Sequence, residues 1–270
     1  MTHLWLRAAL ALYSLGLLHA LLTVIQRKQK LFRVALGAIG LGIVFHFVAL
    51  VEDAIAVRHF PITTVQEASS LFAFLIAGAF LLVYWKYRFD SISVFIFPLV
   101  FVLTLTAAVD SGNEQYWNLP LLRTTWLYLH VSLIILGNAA FFVTFVAGLM
   151  YLIQERELKS KKPRAFYYRL PPLQSIDDLA YKSLAIGFPF ITLGIITGAL
   201  WANAVWGPSW PIDPKISWSF ATWLIYLLLL FTRWTAGWRG RKAAYFAIAG
   251  FAAMLITWST NSGLHSFVSP

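Results

Sequence analysis

Eight apolar stretches divide this sequence and constrain its fold more than any other feature. Each approaches the roughly 20 apolar residues that a helix needs to cross a bilayer. They cover residues 4–25, 34–52, 67–85, 92–109, 126–153, 180–204, 218–235 and 243–262. Only 12% of the 270 residues are charged, about half the share found in soluble domains. The sequence therefore predicts an all-α, polytopic integral membrane protein of about eight transmembrane helices, with both termini outside and a single domain over residues 1–270.

The distribution of basic residues predicts how these helices cross the membrane. Seventeen of the 21 Lys and Arg residues fall in or beside alternate connections, which the positive-inside rule places on the cytoplasmic side. The basic loop 154–178 is one of these connections. The net charge of +10 is then an orientation signal that anionic lipid reinforces, and it does not indicate nucleic-acid binding.

The segment 205–217 interrupts the apolar pattern on the opposite, external side. Its prolines Pro208, Pro211 and Pro214 are incompatible with a regular helix interior, so the pattern predicts a stiff loop. The tryptophans of this loop and its border are Trp206, Trp210 and Trp218. Such a loop offers flat aromatic surfaces to a flat, apolar ligand.

Three of the six histidines fall on the same predicted side as this loop, and the chain has no cysteine. They are His59, His130 and His265. Two neutral imidazoles from different helices can bind a haem iron from opposite sides. The cations available for its propionates are Arg58, Arg123 and Lys215. The alternative is that these tryptophans and histidines are interfacial residues without a ligand, because interfaces are rich in Trp in any membrane protein.

His46 lies in the middle of the second apolar stretch, where an ionisable residue indicates a functional site by default. It is predicted either to bind haem or line its path, or to be a neutral histidine bonded to a neighbouring helix. His19 lies at a different predicted depth, at 1.5 Å of rise per residue, which argues against a His19–His46 ligand pair.

Two helix-end predictions concern acidic and proline residues. Asp213 is predicted to orient its loop by accepting backbone N–H bonds, with pairing to Lys215 or assistance to a ligand as alternatives. In the basic loop, the charged stretch from Glu155 to Arg169 is predicted to continue the fifth helix. Pro171–Pro172 is predicted to break it, and Ser175 is predicted to cap the helix that follows.

Several of these residues together resemble the tryptophan-rich "WWD" signature of cytochrome c assembly proteins, the CcsA/CcmC/HemX-like group. The matching positions in the loop are Trp206, Gly207, Trp210, Asp213, Pro214, Lys215 and Trp218. The segments around His59, His130 and His265 also look like the corresponding family segments. The resemblance spans about residues 40–267.

This resemblance implies a haem-handling protein on the external face of a bacterial cytoplasmic membrane. It implies that His130 and His265 are the axial ligands of haem b, and that haem is presented to apocytochrome c, with an assembly subunit as a further partner. It also implies a carrier or assembly factor rather than a stand-alone enzyme.

The chain departs from the signature at Ile212 and Ile216, and Phe231 stands where synthetase relatives carry a further histidine. These departures favour the short HemX-like branch. The alternatives are a regulator of haem biosynthesis acting on a cytoplasmic partner, and a b-type electron carrier or transporter.

Overall fold

A computed structural model describes residues 4–26, 29–57, 60–62, 64–109, 125–160, 170–208 and 213–260. Within these ranges the regular structure consists of eight α-helices and short 3₁₀ turns, such as Asp90–Ile92, and contains no strand. The helices are α1 (Leu4–Gln26), α2 (Gln29–Val57), α3 (Val65–Tyr87), α4 (Ser93–Ala108), α5 (Thr125–Lys159), α6 (Leu173–Trp206), α7 (Pro214–Thr235) and α8 (Arg241–Ser259).

All eight helices are long and apolar enough to cross a membrane, which confirms the predicted all-α, multi-pass fold. A helix satisfies the hydrogen bonds of its internal backbone N–H and C=O groups by itself. A single apolar segment can therefore cross the lipid as a helix without leaving polar backbone groups unpaired. Which ends face the cytoplasm stays a prediction from the basic residues.

The chain divides into two compact units, and each is a four-helix ring. In the first unit, α1 contacts α2, α2 contacts α3, α3 contacts α4, and α4 returns to α1. In the second unit, α5 to α8 contact one another in the same cyclic order. These units subdivide the membrane domain that the sequence predicts.

In the second unit, α5 and α6 pack closely because α6 presents glycines to α5. A Cβ atom built on Gly187 would lie 2.8 Å from a ring carbon of Phe141. One built on Gly194 would lie 2.7 Å from Cδ1 of Ile134. In lipid the hydrophobic effect does not drive helices together, so close packing has to hold them. Small residues such as glycine allow the two helix backbones to approach closely enough for it.

The helix ends around the basic loop differ in part from the prediction. Helix α5 continues past Glu155 but ends at Lys159, short of the predicted Arg169, and residues 161–169 lie outside the described part of the chain. Helix α6, however, begins at Leu173, so the prediction of Ser175 as its cap is wrong. The carbonyl of Pro172 accepts the first bonds, from the backbone N–H groups of Ser175 and Ile176, at 3.0 and 3.2 Å. Pro172 stands at the N-cap, just before the helix, where its missing N–H costs no bond within the helix.

Candidate haem site

His130 lies in the second turn of α5 and is held by the neighbouring helix. Its Nδ1–H donates to the carbonyl oxygen of Gly194 on α6 at 2.7 Å. A carbonyl only accepts hydrogen bonds, so Nδ1 carries the proton and Nε2 carries the lone pair. This is the arrangement in which histidines ligate metals, with the second nitrogen bonded to a carbonyl or carboxylate.

One turn further along α6, Gly198 makes room for the imidazole. A Cβ atom on Gly198 would lie 2.5 Å from both Cε1 and Nδ1 of His130. The hydroxyl of Thr197 also donates to the Gly194 carbonyl, at 2.9 Å. Sequence reasoning did not assign Gly194, Thr197 or Gly198 to the site. The spacing of the glycines by four residues, which places them on one helix face, was the available signal.

The tryptophan-rich segment is shorter as a loop than the predicted range 205–217. Helix α6 ends at Trp206 and α7 begins at Pro214, so Lys215 and the residues up to Trp218 are helical. The prediction that Pro214 belongs to a loop is wrong, because proline is favoured in the first position of a helix, where no N–H bond is lost.

Asp213 caps α7 and is buried, with 6% of its surface exposed. Its Oδ1 accepts the backbone N–H of Lys215 at 2.8 Å and that of Ile216 at 3.2 Å. This confirms the prediction that Asp213 orients its segment by accepting backbone bonds. The aspartate also carries negative charge at the positive end of the helix dipole.

Trp218 lies one turn after this cap on α7, and 40% of its surface is exposed. Lys215 lies in the first turn of α7. Its backbone carbonyl accepts a hydrogen bond from the hydroxyl of Ser219 at 2.9 Å. The tryptophan-rich segment therefore ends at the capped start of α7, and α7 carries an exposed tryptophan in its second turn.

His46 is fully buried in the first unit, on α2. Its Nδ1 lies 3.2 Å from the hydroxyl of Tyr13 on α1, and its Nε2 lies 2.9 Å from the hydroxyl of Ser70 on α3. A neutral imidazole offers one donor and one acceptor, and the two hydroxyls match both. Of the two interpretations left open by the sequence, this geometry favours the neutral histidine bonded to neighbouring helices.

The other predicted site residues lie outside the described part of the chain. They are Arg58, His59, Arg123, Trp210 and His265. The same holds for the side chain of Trp206, whose backbone ends α6. Their meeting with His130 stays a prediction.

The chemistry of the described donors fits haem. An imidazole with its Nδ1–H committed to a carbonyl presents the neutral Nε2 that haem iron takes as an axial ligand. The exposed indole of Trp218 is a flat aromatic surface of the kind that can pack against a porphyrin.

The sequence is similar to a known protein family and to several known proteins. The model of the family described as "Cytochrome C assembly protein" matches residues 63–265, a range that contains His130 and the tryptophan-rich segment and ends at His265. The cytochrome c biogenesis protein CcsA of Prochlorococcus marinus (strain MIT 9515) is 33% identical over 236 residues, covering 77% of this chain and 75% of its own. The protein of the same name from Guillardia theta is 26% identical over 288 residues, covering 98% of this chain and 94% of its own.

A solved structure shares the fold. The chain titled "Cytochrome c Heme Lyase CcmF" superposes with a TM-score of 0.75 over 97% of this chain, at 22% sequence identity. This chain spans about half of that one, 47% of its length. The match to the family model extends over most of the sequence, from α3 to beyond α8. The chain belongs to the cytochrome c assembly protein family.

Proposed function

We propose that this protein holds haem b on the external face of a bacterial cytoplasmic membrane and presents it for c-type cytochrome maturation. In this proposal haem is cargo, held between His130 and His265 as axial ligands. The tryptophans that contact the porphyrin are Trp206, Trp210 and Trp218. The recipient is apocytochrome c, and an assembly subunit is a further partner.

The observation that carries the proposal is the hydrogen bond from His130 to Gly194. It fixes the tautomer and the ring orientation, and it leaves Nε2 as the nitrogen with the lone pair. The relatives named cytochrome c biogenesis protein support the same direction. Asp213 supports it by fixing where the tryptophan-rich segment ends and α7 begins.

The cations of the external face have a role in this proposal as partners of the haem propionates. Lys215 is the second residue of α7, beside the Asp213 cap, and Arg58 and Arg123 belong to other external connections by the predicted topology. Charge-assisted bonds to carboxylates are the stronger class of hydrogen bond and would orient the porphyrin edge.

The electron-carrier alternative requires a second pair of haem ligands at another depth. His46 is the strongest intramembrane candidate, and both of its ring nitrogens are bonded to hydroxyls. This geometry favours the single external site of our proposal over a two-haem path.

A strain that lacks the gene distinguishes a role in cytochrome c maturation from a role in the regulation of haem biosynthesis. We expect this strain to lose covalently attached haem in its c-type cytochromes, as measured by haem staining of denatured protein. The wild-type gene should restore staining, and a His130→Ala gene should not. Normal cytochrome staining with altered haem-precursor levels would instead support the HemX-like regulator acting on a cytoplasmic partner.

A further inference from the structure

Three cations lie close in sequence at the turn between α7 and α8. This turn is at the other end of α7 from the Asp213 cap. The cations are Arg239, Arg241 and Lys242, and all three are exposed. We call residues 236–242 the basic turn. We propose that the basic turn binds the phosphate headgroup of an anionic phospholipid.

The backbone of the basic turn is fixed before any ligand arrives. The N–H groups of Ala236 and Trp238 both donate to the carbonyl of Thr232, at 3.0 and 3.2 Å. Gly240 has a φ of 64°, a conformation that glycine adopts without strain, and its N–H donates to Oδ1 of Asp177 at 2.9 Å. A preformed turn binds its ligand with less loss of conformational entropy.

A largely buried ion pair lies beneath the turn and engages Asp177, the aspartate that also accepts the Gly240 N–H. Arg233 donates to both carboxylate oxygens of Asp177, at 3.0 and 2.6 Å, and their side chains are 7% and 16% exposed. The guanidinium also lies over the ring of Tyr181, with 4.8 Å between its central carbon and the ring centroid. Asp177 is therefore committed to α7 and to the base of the turn.

Two other acids at this end pair with lysines. Glu155 bonds Lys159 at 2.6 Å, and Asp178 bonds Lys182 at 2.7 Å. Glu155 also raises the local negative potential at Arg241, yet none of the three turn cations forms an ion pair within the described ranges. The basic turn therefore carries more positive than negative charge, with the field of Glu155 as a partial offset at Arg241.

Aromatic rings beside the cations mark the depth of the bilayer interface. Trp234 and Tyr245 are 66% and 50% exposed on the last turn of α7 and the first turns of α8. The Nε and Nη2 groups of Arg241 donate to the Tyr245 hydroxyl at 3.3 and 3.1 Å, and the Lys242 ammonium lies 5.2 Å from the Trp238 ring centroid.

Exposed aromatic rings on spanning helices lie at the headgroup level, where lipid phosphates are also found. This combination of rings and cations favours a lipid over an acidic protein partner, because the rings indicate the depth of the headgroup layer, whose anionic phosphates attract basic residues.

The test measures lipid binding to the purified full-length protein by native mass spectrometry. Phosphatidylglycerol and phosphatidylcholine with identical acyl chains are compared. We expect the first phosphatidylglycerol to bind at least about tenfold more tightly than phosphatidylcholine. The variant Arg239→Gln/Arg241→Gln/Lys242→Gln should lose this preference and keep its helical circular dichroism.

The matched control is Lys161→Gln/Lys162→Gln/Arg164→Gln, which removes three charges from another connection on the same predicted side. It should keep the preference for phosphatidylglycerol. An equal loss in the control would overturn the proposal by showing a diffuse charge effect, as would a wild-type protein without any preference. Displacement of the lipid by an equal concentration of glycerol phosphate would assign the turn to a soluble phosphate and overturn the lipid source.

Discussion

At the scale of single residues, Asp213 determines where the tryptophan-rich segment ends. Replacing Asp213 with Ala removes the acceptor for two backbone N–H groups, so we expect a loss of about 1–2 kcal/mol in the free energy of unfolding. Asp213→Asn keeps a capping oxygen and should lose only a few tenths of that amount. Denaturant titration of the purified variants measures both losses. An Asn variant as unstable as the Ala variant would show that the charge itself is required, as in a pair with Lys215.

His46 allows a second test at this scale, because its two sequence-based interpretations differ in their consequences. His46→Leu leaves the hydroxyls of Tyr13 and Ser70 without their partner, and we expect a cost of about 1–3 kcal/mol in the free energy of unfolding. Haem content should be unchanged. Tyr13→Phe, which removes one hydroxyl, should cost less. Haem loss in His46→Leu at unchanged stability would support the haem-path interpretation.

At the scale of helices, the α5–α6 contact orients the proposed haem ligand. Gly198→Ala places a methyl group against the His130 ring, and displacement of a ligand from its supporting contacts typically weakens binding by roughly tenfold or more. Haem titration followed by absorption spectroscopy measures the affinity. Gly187→Ala is the control, since it crowds Phe141 in the same helix pair without touching His130. Equal affinities for both variants would contradict the orienting role of Gly198.

The helices themselves could be predicted from the sequence, whereas their pairing could not. Lipid requires about 20 apolar residues per span, and this requirement is visible in the composition of each stretch. Inside the membrane, however, a lipid-facing leucine and a buried one have the same chemistry. On α6, Leu184 is 1% exposed and Leu200 is 59% exposed, and nothing in the residue type distinguishes them. The contact between His130 and Gly194, 64 positions apart, therefore needed the structure.

Helix ends were predicted less well than helix interiors. The cluster of three prolines predicts a helix break at Pro214, although the Asp213–Pro214 sequence is also typical of a capped helix start. The choice between these two effects depends on whether the preceding carboxylate accepts the first backbone N–H groups, and the structure shows that it does.

At the scale of the whole molecule, the two four-helix units differ in their local chemistry. The first unit contains the bonded, buried His46, and the second contains His130, the Asp213 cap and the basic turn. The predicted topology assigns the haem site and the basic turn to opposite membrane faces. The range matched by the family model, residues 63–265, contains α3 and α4 of the first unit and all four helices of the second.

The absorption spectrum of the purified protein tests haem binding most directly. With haem supplied, we expect a Soret band of six-coordinate, bis-histidine haem in the wild-type protein. The band should shift in His130→Ala and be lost in His130→Ala/His265→Ala, while His19→Ala, outside the proposed site, should match the wild type. An unchanged Soret band in the double variant would contradict the assignment of His130 and His265 as the haem ligands.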